Sequence, residues 1–373
     1  MHLHAEHMTW RSQPLSLEAV DGLVEPWADL ADHAIEKNIF LSPWFVRASI
    51  PLFKTNPEII SIWEGEQLIS LFLASADRGY AKLPIGFHRS ALHPHQFLAT
   101  PLVRENCSRS FAEGVFKWID ALPQKCSFAL FTHLTGEGEI DASLRKISAE
   151  QGRKSFEVSR FRRAAVEGGG NGMAHLRKSR RRSLERSMKK LEEKGPVTFT
   201  RLDDEAALDD WLGDFFRIEN SGWKREGKTS IEQNPQDISF YRQIAADAFK
   251  AGNLNFFRLS VGDKPIAYTF DLVHGPFVYC MKCAHDLEFR KFAPGVLMEF
   301  ETLKFYGSDG AAAIVDSCSS PDNQMLNDLW PERKTVIGLA IARKSWLHEA
   351  AFSFMQQAKL FLMERAGGKP DRS

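Results

Sequence analysis

The sequence predicts an α/β (α+β) protein with two successive domains, and three observations support this prediction. The chain has 373 residues, which is enough for two domains that each bury a core of their own. Residues 167–172 read EGGGNG, a composition typical of a flexible linker, close to the middle of the chain. Strand and helix patterns follow a similar order on both sides of this stretch. We therefore expect one domain over residues 1–166 and a second over residues 173–373.

The second half has the clearer pattern of elements. Leu208, Leu212 and Phe216 recur at helical spacing. Gly262-Asp263-Lys264 and His274-Gly275-Pro276 separate three apolar runs and are typical hairpin connectors, so these runs predict an antiparallel meander. The predicted elements are, in order, a strand at Val197–Leu202, helices at Asp203–Gly222 and Ile238–Lys250, strands at Leu254–Val261, Pro265–Val273 and Phe277–Ala284, a helix from Pro294, a strand at Ala311–Asp316, a helix at Asn323–Trp330 and a strand at Thr335–Ala342.

The first half repeats this order less clearly, and no repeat is visible at the level of single residues. We interpret the two halves as a diverged structural duplication. The predicted elements are helices at Gly22–Lys37 and Trp44–Phe53, strands at Glu58–Trp63, Gln67–Ala74 and Gln96–Leu102, a helix at Ser108–Leu122, and strands at Cys126–Thr132 and Ser155–Phe161.

Composition and charge favour a cytoplasmic protein. The 48 Lys and Arg residues equal the 48 Asp and Glu residues, so the net charge indicates neither nucleic acid nor membrane as a partner. No secretion signal and no apolar run of roughly 18 residues is present, and five cysteines do not suggest a disulfide framework. Cys280 and Cys283 form a C-x-x-C pattern inside a predicted strand. Residues three apart in a strand point to opposite faces, and no second pair exists, so we predict no metal site.

A helix start follows the meander directly, in the stretch EFRKFAPGVLMEFETL. Pro294 favours the first position of a helix and disfavours helix for Ala293. The first turn of a helix has unpaired N–H groups and a partial positive charge, so it can bind an anion such as a pyrophosphate. Arg290, Ala293 and Gly295 stand here in the relation R-x-x-A-x-G.

This pattern resembles the pyrophosphate loop of the GNAT acyltransferases, which reads Q/R-x-x-G-x-G/A between their fourth strand and third helix. Ala293 departs from it, since glycine is usual there. The resemblance implies two tandem GNAT-like domains, each a mixed, mostly antiparallel sheet flanked by helices. The second half is similar to the BioF2-like or CelD-like branch associated with bacterial cellulose and exopolysaccharide genes, and in plan to the Fem-type aminoacyltransferases. The resemblance to the branch rests on residues 176–182, 190–195, 219–224 and 289–298, Asp316 and Trp330.

The resemblance implies direct acyl transfer from a coenzyme A thioester, most simply acetyl-CoA, with no covalent enzyme intermediate and no metal. The acceptor that it implies is a sugar, an amino sugar or an amino-acid-like group. The acceptor would enter beside Glu219, with Trp223 and Lys224 as its binding residues. The cofactor-binding residues that it implies are Lys282, Cys283, Ala284, Arg290, Lys291, Ala293, Gly295 and Val296.

Three residues are candidates for the proton transfers, each with a structural alternative. Asp316 ends the fifth strand and is a candidate base, or it caps the following turn. Glu219 is a second candidate base, or a surface carboxylate. Tyr279 is a candidate general acid toward the departing thiolate, or a packing residue.

A basic helix follows the linker, since eight of the fourteen residues from Arg177 to Lys190 are Lys or Arg. Leu184, Met188 and Leu191 share one face and can pack on the protein. The other face is either a solvated surface or a site for an anionic partner. The partners considered are the 3′-phosphate of coenzyme A, a nucleotide-linked sugar, a tRNA acceptor arm and an anionic polysaccharide.

The first half lacks the loop, because Val103-Arg-Glu-Asn-Cys107 stands at the corresponding place without glycine and with a carboxylate. We therefore expect acyl-CoA to bind in the second half alone. Two alternatives to an acyl-CoA-dependent enzyme remain. One is a transferase that uses aminoacyl-tRNA, and the other is a scaffold without catalytic activity in polysaccharide assembly.

Overall fold

The computed structural model describes residues 8–80, 83–167, 176–221, 230–308 and 312–365. Thirteen strands lie in this part of the chain: β1 Met8–Pro14, β2 Glu58–Glu64, β3 Gln67–Tyr80, β4 Leu83–Ser90, β5 Leu102–Val103, β6 Cys126–Thr135, β7 Ser155–Glu167, β8 Val197–Arg201, β9 Leu254–Val261, β10 Lys264–His274, β11 Phe277–His285, β12 Ile314–Asp316 and β13 Glu332–Ala342.

The α-helices of the described residues are α1 Leu17–Asp21, α2 Val24–Asp32, α3 Pro43–Ser49, α4 Ser108–Ala121, α5 Glu139–Glu150, α6 Lys178–Glu192, α7 Leu208–Glu219, α8 Pro235–Lys250, α9 Pro294–Ser308, α10 Gln324–Leu329 and α11 Trp346–Arg365. None of the helices in this part of the chain is both long and apolar enough to cross a membrane.

The chain divides into two compact units. The first unit comprises residues 1–162 and 335–373, and the second comprises residues 163–334. Residues 335–373 thus group with the first unit and not with the second, because β13 pairs with β6. Most of the predicted linker, residues 168–172, lies outside the described residues, so a linker at this place stays a prediction.

The sheet of the first unit has the order β1-β2-β3-β4-β6-β13, and β5 pairs with β3. Only the β4–β6 pair among them is parallel. Helix α4 packs on this sheet because Phe111, Val115, Trp118 and Ile119 lie on one of its faces and are buried. The predicted strand at Gln96–Leu102 is wrong, since the structure has strand only at Leu102–Val103.

The sheet of the second unit has the order β7-β12-β11-β10-β9-β8. The β11–β12 pair is parallel, and the other pairs are antiparallel. The meander of β9, β10 and β11 is confirmed, and Gly262 and Gly275 adopt the left-handed conformation at its two turns. Each unit is therefore a mixed, mostly antiparallel sheet flanked by helices, which confirms the predicted fold class.

Candidate functional site

The loop between β11 and α9 has the conformation that a glycine usually supplies. A short 3-10 helix, Leu287–Phe292, precedes it, and Ala293 has φ 54° and ψ 53°. The N–H of Ala293 donates to the carbonyl of Arg290 at 3.0 Å, and its own carbonyl accepts from Val296 and Leu297. A left-handed alanine costs roughly 1–2 kcal/mol, so the surrounding contacts hold this loop in a strained shape.

Gly295 allows a close approach at the start of α9. A Cβ atom added to this glycine would lie 3.0 Å from Nδ1 of His285, the last residue of β11. The first turn of α9 contains no acidic residue, while the exposed side chains of Arg290 and Lys291 lie just before it. A narrow helix start without negative charge suits a bound anion.

Strands β11 and β12 run together over only three residue pairs. Phe277, Val278 and Tyr279 pair with residues 314–316, and β12 then ends while β11 continues to His285. The register of β11 against β10 also shifts at this point, so that Met281 is an extra residue, as in a β-bulge. Lys282, Cys283 and Ala284 therefore lie in the part of β11 that extends beyond its pairing with β12.

Asp316 is buried at the end of β12 and contacts two cations. Arg163 of β7 donates from Nε to Oδ1 and from Nη2 to Oδ2, both at 2.7 Å. Nζ of Lys334 lies 3.0 Å from Oδ2, and the N–H of Cys318 donates to Oδ1 at 3.0 Å. Burial opposes ionisation, but the charges of Arg163 and Lys334 and these hydrogen bonds outweigh it and hold the pKa of Asp316 well below its usual range.

The geometry does not favour Asp316 as the general base, because a carboxylate with so low a pKa takes up protons poorly. Sequence reasoning missed Arg163 and Lys334, the partners that decide this. Neither residue stands near Asp316 in the sequence, and no motif contains them.

Tyr279 is buried beside this cluster and pairs with Asp316 in the parallel register of β11 and β12. Nζ of Lys334 lies 5.8 Å from the centre of its ring, within the range of a cation–π contact. The structure thus brings together two of the three predicted proton-transfer residues, Tyr279 and Asp316.

Glu219, the third candidate, is buried at the end of α7. Its Oε1 lies 3.2 Å from Nζ of Lys282, and its Oε2 accepts a hydrogen bond of 2.9 Å from the N–H of Ile231. Lys282 also lies over the ring of Tyr241, at 5.8 Å from the ring centre. Burial, together with the charge of Glu219, raises the pKa of Tyr241 well above its usual value. Glu219 is therefore not a plain surface carboxylate.

Trp223 and Lys224, the predicted acceptor-binding residues, lie outside the described residues. The assignment of acceptor binding to them stays a prediction.

Comparison with known protein families gives one matching segment of the chain. Residues 178–318 match the family described as acetyltransferase (GNAT) domain. The second unit has the GNAT acyltransferase fold. The matched segment contains Glu219, β11, the loop between β11 and α9, which we call the GNAT loop, and Asp316, and these findings support an acyltransferase. No curated protein sequence matches the chain at a significant level.

Three solved structures share the fold at low sequence identity. The C-terminal domain of a protein described as a lysylphosphatidylglycerol synthetase, from Agrobacterium fabrum, is 12% identical with a TM-score of 0.55, over 94% of this chain and 99% of that one. FemX is 11% identical with a TM-score of 0.55, over 89% and 96%. A conserved protein of unknown function from Bacteroides thetaiotaomicron VPI-5482 is 12% identical with a TM-score of 0.53, over 89% and 99%. Identities this low establish the fold and not the substrates.

Two buried acids lie in the second unit, Asp271 on β10 and Glu299 on α9. Tyr306 and Thr269 each donate a 2.8 Å hydrogen bond to Asp271. Burial raises the pKa of Asp271 to about 6, and burial with the charge of Asp271 raises the pKa of Glu299 to about 8. Both acids stand in apolar stretches of sequence, TFDLV and LMEF. An acid inside an apolar stretch is a signal of a buried carboxyl group, and sequence reasoning missed it.

The basic helix α6 packs beside the GNAT loop. Leu184 and Leu191 are buried and Met188 packs against the same core, as the helical spacing predicted. The helix contacts the 3-10 helix Leu287–Phe292 and the helix α9. The helix that carries these cationic side chains therefore lies against the 3-10 helix that contains Arg290 and Lys291. Most of these cations are exposed: Arg177, Lys178, Arg182, Arg186, Lys189 and Lys190.

Neither Cys280 nor Cys283 is part of a disulfide bond. Within the described residues, no group of three or more His, Cys, Asp or Glu side chains is arranged to hold a metal ion.

Proposed function

We propose that this chain is an acyl-CoA-dependent N- or O-acyltransferase that binds its acyl donor at the GNAT loop of the second unit. The observation that carries the proposal is the loop itself. Ala293 adopts the left-handed conformation, Pro294 is the first residue of α9, and Gly295 allows the close approach of the helix start to His285.

The residues at the loop suit a coenzyme A diphosphate. The N–H of Gly295, in the first turn of α9, would face it, whereas the N–H of Val296 already donates to the carbonyl of Ala293. The side chains of Arg290 and Lys291 would add positive charge. Backbone groups of Lys282, Cys283 and Ala284 would hold the pantetheine arm. A bound thioester supplies the activated acyl group.

We assign the proton transfers to Glu219 and Tyr279. Glu219 is the proposed base, and Lys282 and the Ile231 N–H hold its carboxylate in position at the end of α7. Tyr279 is the proposed acid toward the leaving thiolate. Asp316 holds Arg163 and Lys334 in place beside Tyr279 and is proposed as a positioning residue. The transfer is direct, without an acyl group on the enzyme.

Isothermal titration with acetyl-CoA tests the donor site. We expect wild type to bind and Gly295→Glu to lose binding, because the new side chain would fill the helix start and bring a negative charge. Gly213→Glu on α7 is the matched control, since a Cβ atom there meets nothing within 4 Å. The proposal fails if wild type does not bind, or if both variants bind alike.

The acceptor that we propose is a sugar, an amino sugar or an amino-acid-like group, used in the cytoplasm for the synthesis of a surface polysaccharide. The support is the resemblance of residues 176–182 and 289–298 to the BioF2-like and CelD-like branch. Activity toward amino sugars such as glucosamine, measured as release of free coenzyme A, tests it. A panel of amino sugars and amino acids that gives no release above the hydrolysis blank would contradict this acceptor class.

A second candidate function is transfer from aminoacyl-tRNA, and the exposed cations of α6 beside the loop favour it. Strong dependence of tRNA binding on salt would support this function. Lys190→Glu on α6 should weaken binding, while Lys250→Glu, an equally exposed lysine on α8, should not. Equal binding by both variants would exclude α6 as a tRNA site.

A further inference from the structure

Two cations share one carboxylate in the interior of the second unit. The side chains of Arg163 and Asp316 are 2% and 1% exposed, and that of Lys334 is 13% exposed. Arg163 occupies both oxygens of Asp316, and Lys334 shares one of them. The single negative charge of Asp316 is therefore set against two positive charges.

Lys334 has hydrogen-bond donors beyond the one that faces Asp316. Its ammonium group has three N–H donors, and its one ion pair is with Oδ2 of Asp316, among the described residues. In the described part of the chain, no second carboxylate lies within ion-pair distance of Lys334. The side chain is partly exposed to solvent. A positive charge in such a half-buried place attracts anions more strongly than one on the open surface.

The cluster also lies at the end of β11 away from the GNAT loop. Tyr279, its neighbour, precedes His285 by six residues, which is about 20 Å of extended strand. The loop at the His285 end has two cations of its own, Arg290 and Lys291. Positive charge therefore stands at both ends of this strand, and the charge at the Tyr279 end is not part of the diphosphate site.

We propose that Lys334, held in position by the Arg163–Asp316 pair, binds an oxyanion of the acceptor, either a carboxylate or a phosphate group. The inference rests on the proposed function in one respect, that the anion belongs to an acceptor. The acceptors would then be anionic, such as a sugar phosphate or a free amino acid, and their neutral counterparts would be poor substrates.

Anion binding by the protein alone tests the site without any acyl donor. Thermal unfolding is followed with inorganic phosphate or with acetate, against chloride at matched ionic strength, and the two titrations distinguish phosphate from carboxylate. We expect at least one oxyanion to stabilise wild type, with an apparent affinity about tenfold weaker in Lys334→Met. Lys334→Arg should keep most of the affinity. Lys334→Met leaves the neutral Arg163–Asp316 pair intact and is expected to fold.

Gly295→Glu separates this site from the loop, which is also suited to phosphate. The stabilisation by the oxyanion should persist in Gly295→Glu and be lost in Lys334→Met. The proposal is overturned if neither anion stabilises wild type, if Lys334→Met responds as wild type does, or if only Gly295→Glu loses the response.

Acyl transfer to matched acceptors links the site to the reaction. Glucosamine 6-phosphate is compared with glucosamine, and glycine with glycinamide. We expect the anionic member of at least one pair to have a kcat/KM about tenfold higher in wild type, and this preference to vanish in Lys334→Met while the affinity for acetyl-CoA is unchanged. Equal use of both members by wild type would overturn the role in acceptor binding. Failure of wild type to bind acetyl-CoA would instead overturn the proposed function, and the anion titrations would still decide the site.

Discussion

Arg163 donates two hydrogen bonds of 2.7 Å to Asp316, one to each oxygen, across a sequence separation of 153 residues. Lys334 contacts the same carboxylate from β13. Because both partners of the pair are buried, removing either side chain leaves the charge of the other in the interior without compensation. The pair therefore anchors β7 to the end of β12 at the proposed reaction site.

Asp316→Asn should lower the free energy of unfolding by about 3–5 kcal/mol, because the buried Arg163 and the partly exposed Lys334 lose their counter-charge. Urea denaturation followed by circular dichroism measures the change. Asp263→Asn, in the exposed turn between β9 and β10, is the control and should change stability by less than about 0.5 kcal/mol. A similar small effect of both substitutions would show that the ion pair does not support the fold.

Ala293→Gly should stabilise the protein by about 1 kcal/mol, because glycine adopts the left-handed conformation without strain. Ala251→Gly is the matched control. Ala251 caps the C-terminal end of α8 with φ −81°, so glycine there should cost stability. Thermal unfolding of both variants gives the comparison. If Ala293→Gly destabilises as Ala251→Gly does, Ala293 does not adopt the left-handed conformation in solution.

The buried acids should make the protein more stable as the pH falls from 8 to 5. Folding raises the pKa of Glu299 from 4.5 to about 8 and that of Asp271 from 3.8 to about 6, so the folded state binds more protons in this range. This contribution is fully present below the unfolded values and is lost as the pH rises through the folded ones. Urea denaturation at several pH values should show a weaker dependence in Glu299→Gln.

Glu185→Gln, an exposed acid on α6, is the control for that series and should follow wild type. A Glu299→Gln variant with the full dependence of wild type would mean that Glu299 is already ionised in the folded protein at neutral pH.

Glu219→Gln should lower kcat by at least about 100-fold if Glu219 is the base, with the affinity for acetyl-CoA unchanged. The rate of coenzyme A release and isothermal titration measure the two quantities. Glu232→Gln, an exposed acid near the same helix end, serves as the control. If Glu219→Gln keeps the kcat of wild type, Glu219 is not the base, and water or the substrate itself accepts the proton.

The sequence predicted the meander and the loop well because local signals specify them. The turns at Gly262 and Gly275 define the ends of β9, β10 and β11, and Pro294 marks the first residue of α9. The prediction of a strand from the apolar stretch near Phe97 was wrong, because this stretch forms a loop bounded by Pro94 and Pro101.

The charge cluster at Asp316 could not be predicted in the same way. Arg163 and Lys334 come together with Asp316 only through the pairing of strands distant in the chain, and neither stands in a recognisable motif. The grouping of residues 335–373 with the first unit has the same origin, since β13 pairs with β6 across about 200 residues of chain. Local patterns carry no information about such pairings.

A crystal structure with bound coenzyme A tests the central claim most directly. The account predicts that the diphosphate lies against the N–H of Gly295 at the start of α9, with Arg290 beside it, and that the pantetheine arm follows β11 toward Tyr279. A diphosphate bound in the first unit, or away from the start of α9, would contradict it.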